Sequence, residues 1–176
     1  MKSLFGRTGT ARFIRELLSP PSRGQTPAPQ PSRIQGLTER GKILIVDDSL
    51  LVLRALSMKV KAAGYEVLLA EDGAAAVSTA RRERPDLILL DILFPPDVAH
   101  GGGIPWDGFL IMDWVRRMEG GKDVPIIVMT SGDPAQLKER SLAAGALAFF
   151  QKPIDNDELL ATIRLALESK ASVKSE

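Results

Sequence analysis

The sequence predicts an α/β fold in which helices cover both faces of a five-stranded parallel sheet. Short runs of apolar, often β-branched residues recur along the chain, and such runs are typical of strands buried on both sides. They alternate with segments of helical apolar spacing, which gives five β-then-α units. Right-handed crossovers between such units produce a doubly wound sheet. The strands are predicted at residues 42–46, 65–70, 86–90, 125–129 and 146–151.

The first two predicted helices have recognisable ends. The first runs from about Leu50 to Ala63 and is followed by Gly64, a residue suited to the left-handed conformation that closes a helix. Asp72 can cap the second helix because its carboxylate can accept a hydrogen bond from a free backbone N–H of the first turn. Pro85 ends that helix.

The remaining three helices follow the third, fourth and fifth strands. One is predicted from Gly108 to Met118, with apolar residues on a single face. The next begins after the acidic cap Asp133, which a proline follows at the first helical position. The last begins at a second acidic cap, Asp155, and is predicted to run to about Glu168.

Composition excludes several classes of protein. The 176 residues, 44% of them hydrophobic, suffice for one ordinary domain with a tail. No apolar run approaches the length of a membrane-spanning helix. The chain has no cysteine, which rules out disulfides, thiol catalysis and cysteine-based zinc sites.

Charge divides the chain into a basic start and a mildly acidic remainder. Residues 1–40 carry seven Lys and Arg against two Asp and Glu, whereas residues 41–176 carry sixteen against twenty. The start also contains a proline-rich stretch, Pro20 to Pro31, which favours an extended linker over a packed core. We therefore expect a disordered tail at 1–40, a folded domain at 41–169 and a short C-terminal tail at 170–176.

Acidic side chains mark the ends of two predicted strands. Asp47 and Asp48 close the first apolar run, and Asp91 closes the third. In a flavodoxin-like sheet of order 2-1-3-4-5 these strands are neighbours, and ligands bind outside their carboxyl ends. Grouped carboxylates suit Mg²⁺, which prefers oxygen ligands. Thr130 and Lys152 stand at the ends of the fourth and fifth strands, and the five residues together indicate a phosphoryl site.

These five residues, in this order and each at a strand end, resemble the receiver domain of two-component response regulators. The resemblance covers roughly residues 41–169. It implies that Asp91 is the phosphoacceptor and that Asp47 and Asp48 hold Mg²⁺ together with Asp91, with Mn²⁺ as an alternative. It also implies that Leu93 contributes its backbone carbonyl to the metal.

The resemblance assigns three further roles. Thr130 would be the switch hydroxyl, Lys152 would bind the phosphate, and Phe149, three residues before the lysine, would be the aromatic side chain that changes rotamer. Leu93 and Gly132 stand two residues after the phosphoacceptor and the threonine, and neither can orient a hydrolytic water through its side chain.

A histidine kinase or a phosphotransfer protein is implied as the phosphoryl donor, with another protein as the downstream target. Only Lys170 to Glu176 follow the fifth helix, so we expect no output module and no direct nucleic-acid binding. The chain is expected to act as a stand-alone cytoplasmic receiver, with no enzymatic activity beyond its own phosphorylation and dephosphorylation. Whether it forms a homodimer is left open.

Two segments depart from the family pattern or lie outside it. Between Asp91 and Asp107 the loop is longer than usual, and Pro95 to Trp106 is either a tolerated insertion or a lid or contact surface beside the site. In the tail, Ala11 to Leu18 could form two helical turns, so a docking peptide is the alternative to disorder.

Two other functions compete with the receiver interpretation. A Mg²⁺-dependent aspartyl phosphatase of the haloacid type also uses a strand-end aspartate, but it needs a second acid two residues later, where this chain has Leu93. A phosphorylation-independent interaction scaffold could keep the fold, but the presence of all five site residues argues against it: Asp47, Asp48, Asp91, Thr130 and Lys152.

Overall fold

The strands form the predicted sheet. The computed structural model describes residues 40–93 and 107–173, so the N-terminal tail and the loop Pro95 to Trp106 lie outside the described residues. Within these ranges, five parallel strands lie in the order β2-β1-β3-β4-β5, which confirms the predicted order. The strands are β1 (Lys42–Val46), β2 (Glu66–Ala70), β3 (Leu87–Asp91), β4 (Ile126–Thr130) and β5 (Ala148–Gln151).

Five α-helices alternate with these strands in the described part of the chain, and one short 3₁₀ helix (Gly121–Asp123) precedes β4. None of the helices in residues 40–93 and 107–173 combines the length and the apolar character needed to cross a bilayer. The helices are α1 (Leu50–Ala62), α2 (Gly73–Glu83), α3 (Gly108–Arg117), α4 (Pro134–Ala143) and α5 (Asn156–Val173).

The helix boundaries follow the capping chemistry, with one exception. The carboxylate of Asp72 accepts a hydrogen bond from the Ala75 N–H at 2.7 Å, and Asp133 caps α4 in the same way. The exception is α5, which continues to Val173 rather than ending near Glu168. Its last turns are held by the ammonium of Lys170, which donates to the backbone carbonyl of Asp86.

Alternate residues of the strands feed two separate apolar cores, one on each face of the sheet. α1 and α5 pack on one face, with Leu53 and Ile163 among the buried contacts. α2, α3 and α4 pack on the other face, where Met112 is buried and Leu137 is partly buried. The central strands β3 and β4 are buried along their whole length. Because all five strands are parallel, their carboxyl ends lie at the same rim of the sheet.

Arg116 holds together the opposite rim of the sheet. Its guanidinium donates to the carbonyls of Gly121, Lys122 and Val124 at 2.9, 3.2 and 2.6 Å. The second terminal nitrogen donates to the carbonyl of Gly145 at 2.8 Å. One side chain therefore links the end of α3, the 3₁₀ helix and the loop that follows α4.

Candidate functional site

The predicted acidic residues meet at the carboxyl ends of β1 and β3. These strands pair directly, with Val46 opposite Leu90, so the residues that follow lie side by side. The carboxylates of Asp47, Asp48 and Asp91 each place an oxygen within 4.8 Å of the others. Asp47 and Asp91 are buried, whereas Asp48 is exposed, so the cluster opens to solvent through Asp48.

Lys152 joins the two buried carboxylates. Its ammonium nitrogen lies 2.6 Å from Oδ2 of Asp47 and 2.5 Å from Oδ2 of Asp91. The backbone N–H of Lys152 donates to the carbonyl of Thr130, which places the lysine beside the end of β4. The structure thus brings together three of the predicted site residues through direct hydrogen bonds.

Backbone N–H groups hold the other oxygen of each buried carboxylate. Oδ1 of Asp47 accepts a hydrogen bond from the Ser49 N–H at 2.9 Å. Oδ1 of Asp91 accepts one from the Leu93 N–H, also at 2.9 Å. In each aspartate, one carboxylate oxygen therefore accepts from the backbone N–H two residues later, and the other accepts from Lys152.

Burial and pairing set the protonation of the site. Burial raises the pKa of Asp91, and the hydrogen bonds from the Leu93 N–H and from Lys152 oppose this rise without cancelling it. Burial alone would lower the pKa of Lys152, but its hydrogen bonds to Asp47 and Asp91 outweigh burial and raise it. Lys152 therefore stays protonated and can stabilise a negatively charged group that binds next to it.

Thr130 and Phe149 lie on β4 and β5, the two strands that follow β3 in the sheet. Thr130 ends β4, is completely buried, and its Oγ1 accepts a hydrogen bond from the Gly132 N–H at 3.2 Å. Among the described residues no hydrogen bond joins it to Asp91. Phe149 pairs with Val128 across β4 and β5 and packs, partly buried, on the core beneath α2, α3 and α4.

The donor set of the cluster suits a hard divalent cation. Its side-chain donors are the carboxylate oxygens of three aspartates, and the exposed Asp48 leaves one side open to the waters that Mg²⁺ retains. Asp47, Asp48 and Asp91 are the residues that would hold the cation, with the carbonyl of Leu93 as the further predicted ligand.

The family model described as "Response regulator receiver domain" matches residues 43–164, which is more than half of the chain. The chain belongs to the response regulator receiver family. Members of this family bind Mg²⁺ through acidic residues and interact with histidine kinases or phosphotransfer proteins. The family resemblance inferred from the strand-end residues is therefore confirmed.

Curated relatives of the receiver differ in length. PilH of Pseudomonas aeruginosa is 33% identical over 126 residues, which are 72% of this chain and 97% of that protein. The DNA-binding dual master transcriptional regulator RpaA of Synechocystis is also 33% identical over 126 residues, but the receiver spans only 48% of it. Against the response regulator PleD of Caulobacter vibrioides the identity is 34%, and the matched part is 25% of that protein. The receiver thus spans half or less of several relatives.

Solved structures agree with the fold of the receiver. The chemotaxis response regulator CheY4 of Vibrio cholerae superposes with a TM-score of 0.61 at 32% identity, over 71% of this chain and 97% of that one. A putative response regulator from Chloroflexus aurantiacus gives a TM-score of 0.63, also at 32% identity, over 73% and 98%.

Two features of the receiver were not predicted from the sequence. One is the pair of backbone N–H groups, of Ser49 and Leu93, that orient the carboxylates; the spacing of two residues after an aspartate is the signal that indicates such a turn. The other is an apolar stripe on the outer face of α1. The helical spacing of Leu51, Ala55 and Met58 is the sequence signal that indicates it.

Proposed function

We propose that the chain is a stand-alone response regulator that accepts a phosphoryl group on Asp91 and signals through protein contacts. The donor is a histidine kinase or a phosphotransfer protein, and the chain catalyses only its own phosphorylation and dephosphorylation. The observation that carries the proposal is Lys152, whose ammonium joins Asp47 and Asp91 at the ends of β1 and β3. The near-complete coverage of PilH supports a receiver that acts alone.

The chemistry of the proposed reaction is a phosphoryl transfer between an imidazole and a carboxylate. A carboxylate oxygen of Asp91 forms the new O–P bond, and the P–N bond to the donor imidazole breaks with its electron pair remaining on nitrogen. Lys152 places positive charge beside the incoming phosphoryl oxygens, which reduces their repulsion by the carboxylates. A bound Mg²⁺ would supply further positive charge to the same oxygens.

The hydrogen bond to Asp91 from the Leu93 N–H keeps the nucleophile oriented. Because one carboxylate oxygen is held at 2.9 Å by this amide, the carboxylate loses little rotational freedom when it reacts. Asp47 has the same restraint from Ser49. The site is therefore preorganised before any donor arrives.

After transfer, Thr130 and Phe149 would carry the signal away from Asp91. A phosphoryl group offers new acceptor oxygens, toward which the Thr130 hydroxyl can donate. Thr130 and Phe149 face the same side of the sheet as Val128, which belongs to the core beneath α4. Movement of the threonine therefore opens space next to the half-buried ring of Phe149.

Acetyl phosphate and Mg²⁺ test the proposal directly. The full chain should gain a single phosphoryl group, seen by intact-mass spectrometry, and hydroxylamine should remove it because the product is an acyl phosphate. A chelator added before the donor should prevent labelling. An unlabelled protein across a range of donor concentrations would contradict the proposal and favour the phosphorylation-independent scaffold.

The outer face of α1 provides a docking surface for the phosphoryl donor. While Leu53, Leu56 and Val60 face the core, Leu51 and Met58 are 78% and 73% exposed on the opposite side. With the exposed Ala55 and Ala62 they form the α1 stripe (Leu51, Ala55, Met58, Ala62), whose spacing of four, three and four residues matches the seam of a helix pair. This spacing favours a helical partner.

Leu51→Asp should reduce phosphorylation by a histidine kinase at least about tenfold, because a charge would be buried against the apolar partner helix. The same variant should be labelled normally by acetyl phosphate, which does not need α1. Residue 51 lies in the first turn of α1, where an acidic side chain favours the helix. A panel of histidine kinases is first tested for the one that phosphorylates the wild type fastest. The measured quantity is the initial rate of phosphotransfer from that kinase to each variant.

Leu165→Asp is the matched control for this surface. Leu165 is 61% exposed and lies on α5, so the same substitution there alters charge and hydrophobicity equally. Kinase transfer to this variant should equal transfer to the wild type. Equal losses in both variants would show that α1 has no special part in donor docking.

A further inference from the structure

The ends of two leucine side chains lie close to Gly132. A Cβ atom placed on Gly132 would lie 2.4 Å from Cδ1 of Leu137 and 2.9 Å from Cδ1 of Leu93. The space that a side chain at position 132 would enter is therefore occupied by the flexible ends of a leucine from α4 and a leucine from the loop after β3. We call these three residues the leucine bridge (Leu93, Gly132, Leu137).

The backbone of the leucine bridge holds two oxygens of the site. The N–H of Leu93 donates to Oδ1 of Asp91, and the N–H of Gly132 donates to Oγ1 of Thr130. The amide that holds each oxygen therefore belongs to a residue of the leucine bridge. A shift of Leu93 would change the direction of an N–H group and not only the packing.

Leu137 is the anchored member of the bridge. It packs against the core beneath α2, α3 and α4, on the same cluster as Phe109. One turn further along α4, the guanidinium of Arg140 lies 3.7 Å from the centre of the Phe109 ring, which ties α4 to α3. Leu93, in contrast, is 45% exposed, and its Cδ1 atom lies no more than about 5.3 Å from Cδ1 of Leu137, because the two atoms lie 2.9 Å and 2.4 Å from the position that a Cβ of Gly132 would take.

We propose that Leu137 is a positioning residue for phosphorylation of Asp91 and acts through Leu93. The side chain of Leu137 fixes Leu93, the N–H of Leu93 orients the carboxylate, and the oriented carboxylate attacks phosphorus. The role of Asp91 rests on the proposed function. The position of α4 and the reactivity of Asp91 would then be linked through Leu137 and Leu93, without the participation of Phe149.

Leu137→Ala tests this role by two independent measurements. The first is the initial rate of phosphorylation by acetyl phosphate, which should fall by between about fivefold and a hundredfold, because a misplaced reacting group costs rate. The second is the ¹H–¹⁵N resonance of the Leu93 amide in unphosphorylated protein, which should move as its hydrogen bond to Asp91 changes. The NMR measurement is made on unphosphorylated protein. It therefore tests the effect of Leu137 on the Leu93 amide even if Asp91 is not the phosphoacceptor.

Three further variants separate positioning from general destabilisation. Leu142→Ala removes an exposed leucine from the same helix and should leave the rate and the Leu93 resonance unchanged. Leu137→Met should restore most of the rate, because it refills the space above Gly132. In a Leu93→Ala background, Leu137→Ala should add no further loss, because the residue through which it acts is gone.

The outcomes decide between the two proposals. If Leu137→Ala leaves both the rate and the Leu93 resonance unchanged, or if its loss adds fully to that of Leu93→Ala, the positioning role is overturned. A wild type that acetyl phosphate cannot label overturns the proposed function, and the Leu93 resonance still reports whether the leucine bridge exists.

Discussion

Replacing Asp91 by asparagine should reduce labelling by acetyl phosphate to below about one per cent of the wild-type rate, because the amide is not a nucleophile toward phosphorus. The fold should survive, since asparagine has nearly the same shape and Lys152 keeps its hydrogen bond to Asp47. Intact-mass spectrometry over a time course measures the effect. Full labelling of the variant would place the phosphoacceptor elsewhere.

Asp113→Asn is a matched control for this experiment. Asp113 lies on α3, has a half-exposed side chain and pairs only with Arg117 among the described residues. The same loss of one carboxylate charge should therefore leave the labelling rate unchanged. A comparable loss in both variants would point to net charge rather than to the nucleophile.

The stability of Asp91→Asn should differ from that of the wild type in a predictable direction. Burial raises the pKa of Asp91, so the folded protein holds this proton more tightly than the unfolded chain does. The wild type therefore loses stability as the pH rises from about 3.9 through the raised pKa. At pH 7 the variant should have the higher free energy of unfolding, and the difference should disappear below about pH 3. Urea unfolding at both pH values checks the sign.

Gly108→Ala should lower the free energy of unfolding by about 3 kcal/mol, at the upper end of the usual cost of overpacking. A Cβ atom at position 108 would lie 2.4 Å from Cα of Ile92, and backbone cannot move aside as a flexible side chain can. Gly108 also donates its N–H to the carbonyl of Ile92, the residue after Asp91. The clash should therefore displace the phosphoacceptor loop and slow labelling as well.

Gly120→Ala is the comparison that isolates the clash. Gly120 has a φ of +74°, which disfavours alanine, but a Cβ there would meet no atom within 4 Å. Its cost should be about 1–2 kcal/mol, from backbone conformation alone, with no effect on labelling. If Gly108→Ala proved as stable as the wild type, the close approach of α3 to Ile92 would be wrong.

The layout of the fold was readable from local patterns. β1 and β3 are continuous apolar runs with an acid at the end, and burial on both faces requires such runs. Asp72 and Asp133 marked the starts of α2 and α4, since a cap is a local hydrogen bond. The length of α5 was not readable, because its last turns depend on the contact of Lys170 with Asp86, which is distant in sequence.

The functional site, like the fold, was only partly predictable from the sequence. Strand-end positions identified Asp47, Asp91 and Lys152, because parallel strands bring their ends to one rim. The proximity of Leu93 to Leu137 could not be predicted, since nothing in the spacing of a helix shows which distant loop one of its leucines approaches. The role of Pro95 to Trp106 stays a prediction, because that loop lies outside the described residues.

The hydrogen bonds of Arg116 restrain one end of α4. They hold the carbonyl of Gly145, just beyond the C-terminal end of α4, whereas the N-terminal end faces Thr130 and Leu93 across Gly132. A displacement of α4 that keeps this bond intact would be smallest beside Gly145. The contact of Arg140 with the Phe109 ring restrains the middle of the helix as well, so the first turn, at Pro134, would move furthest if Asp91 is phosphorylated as proposed.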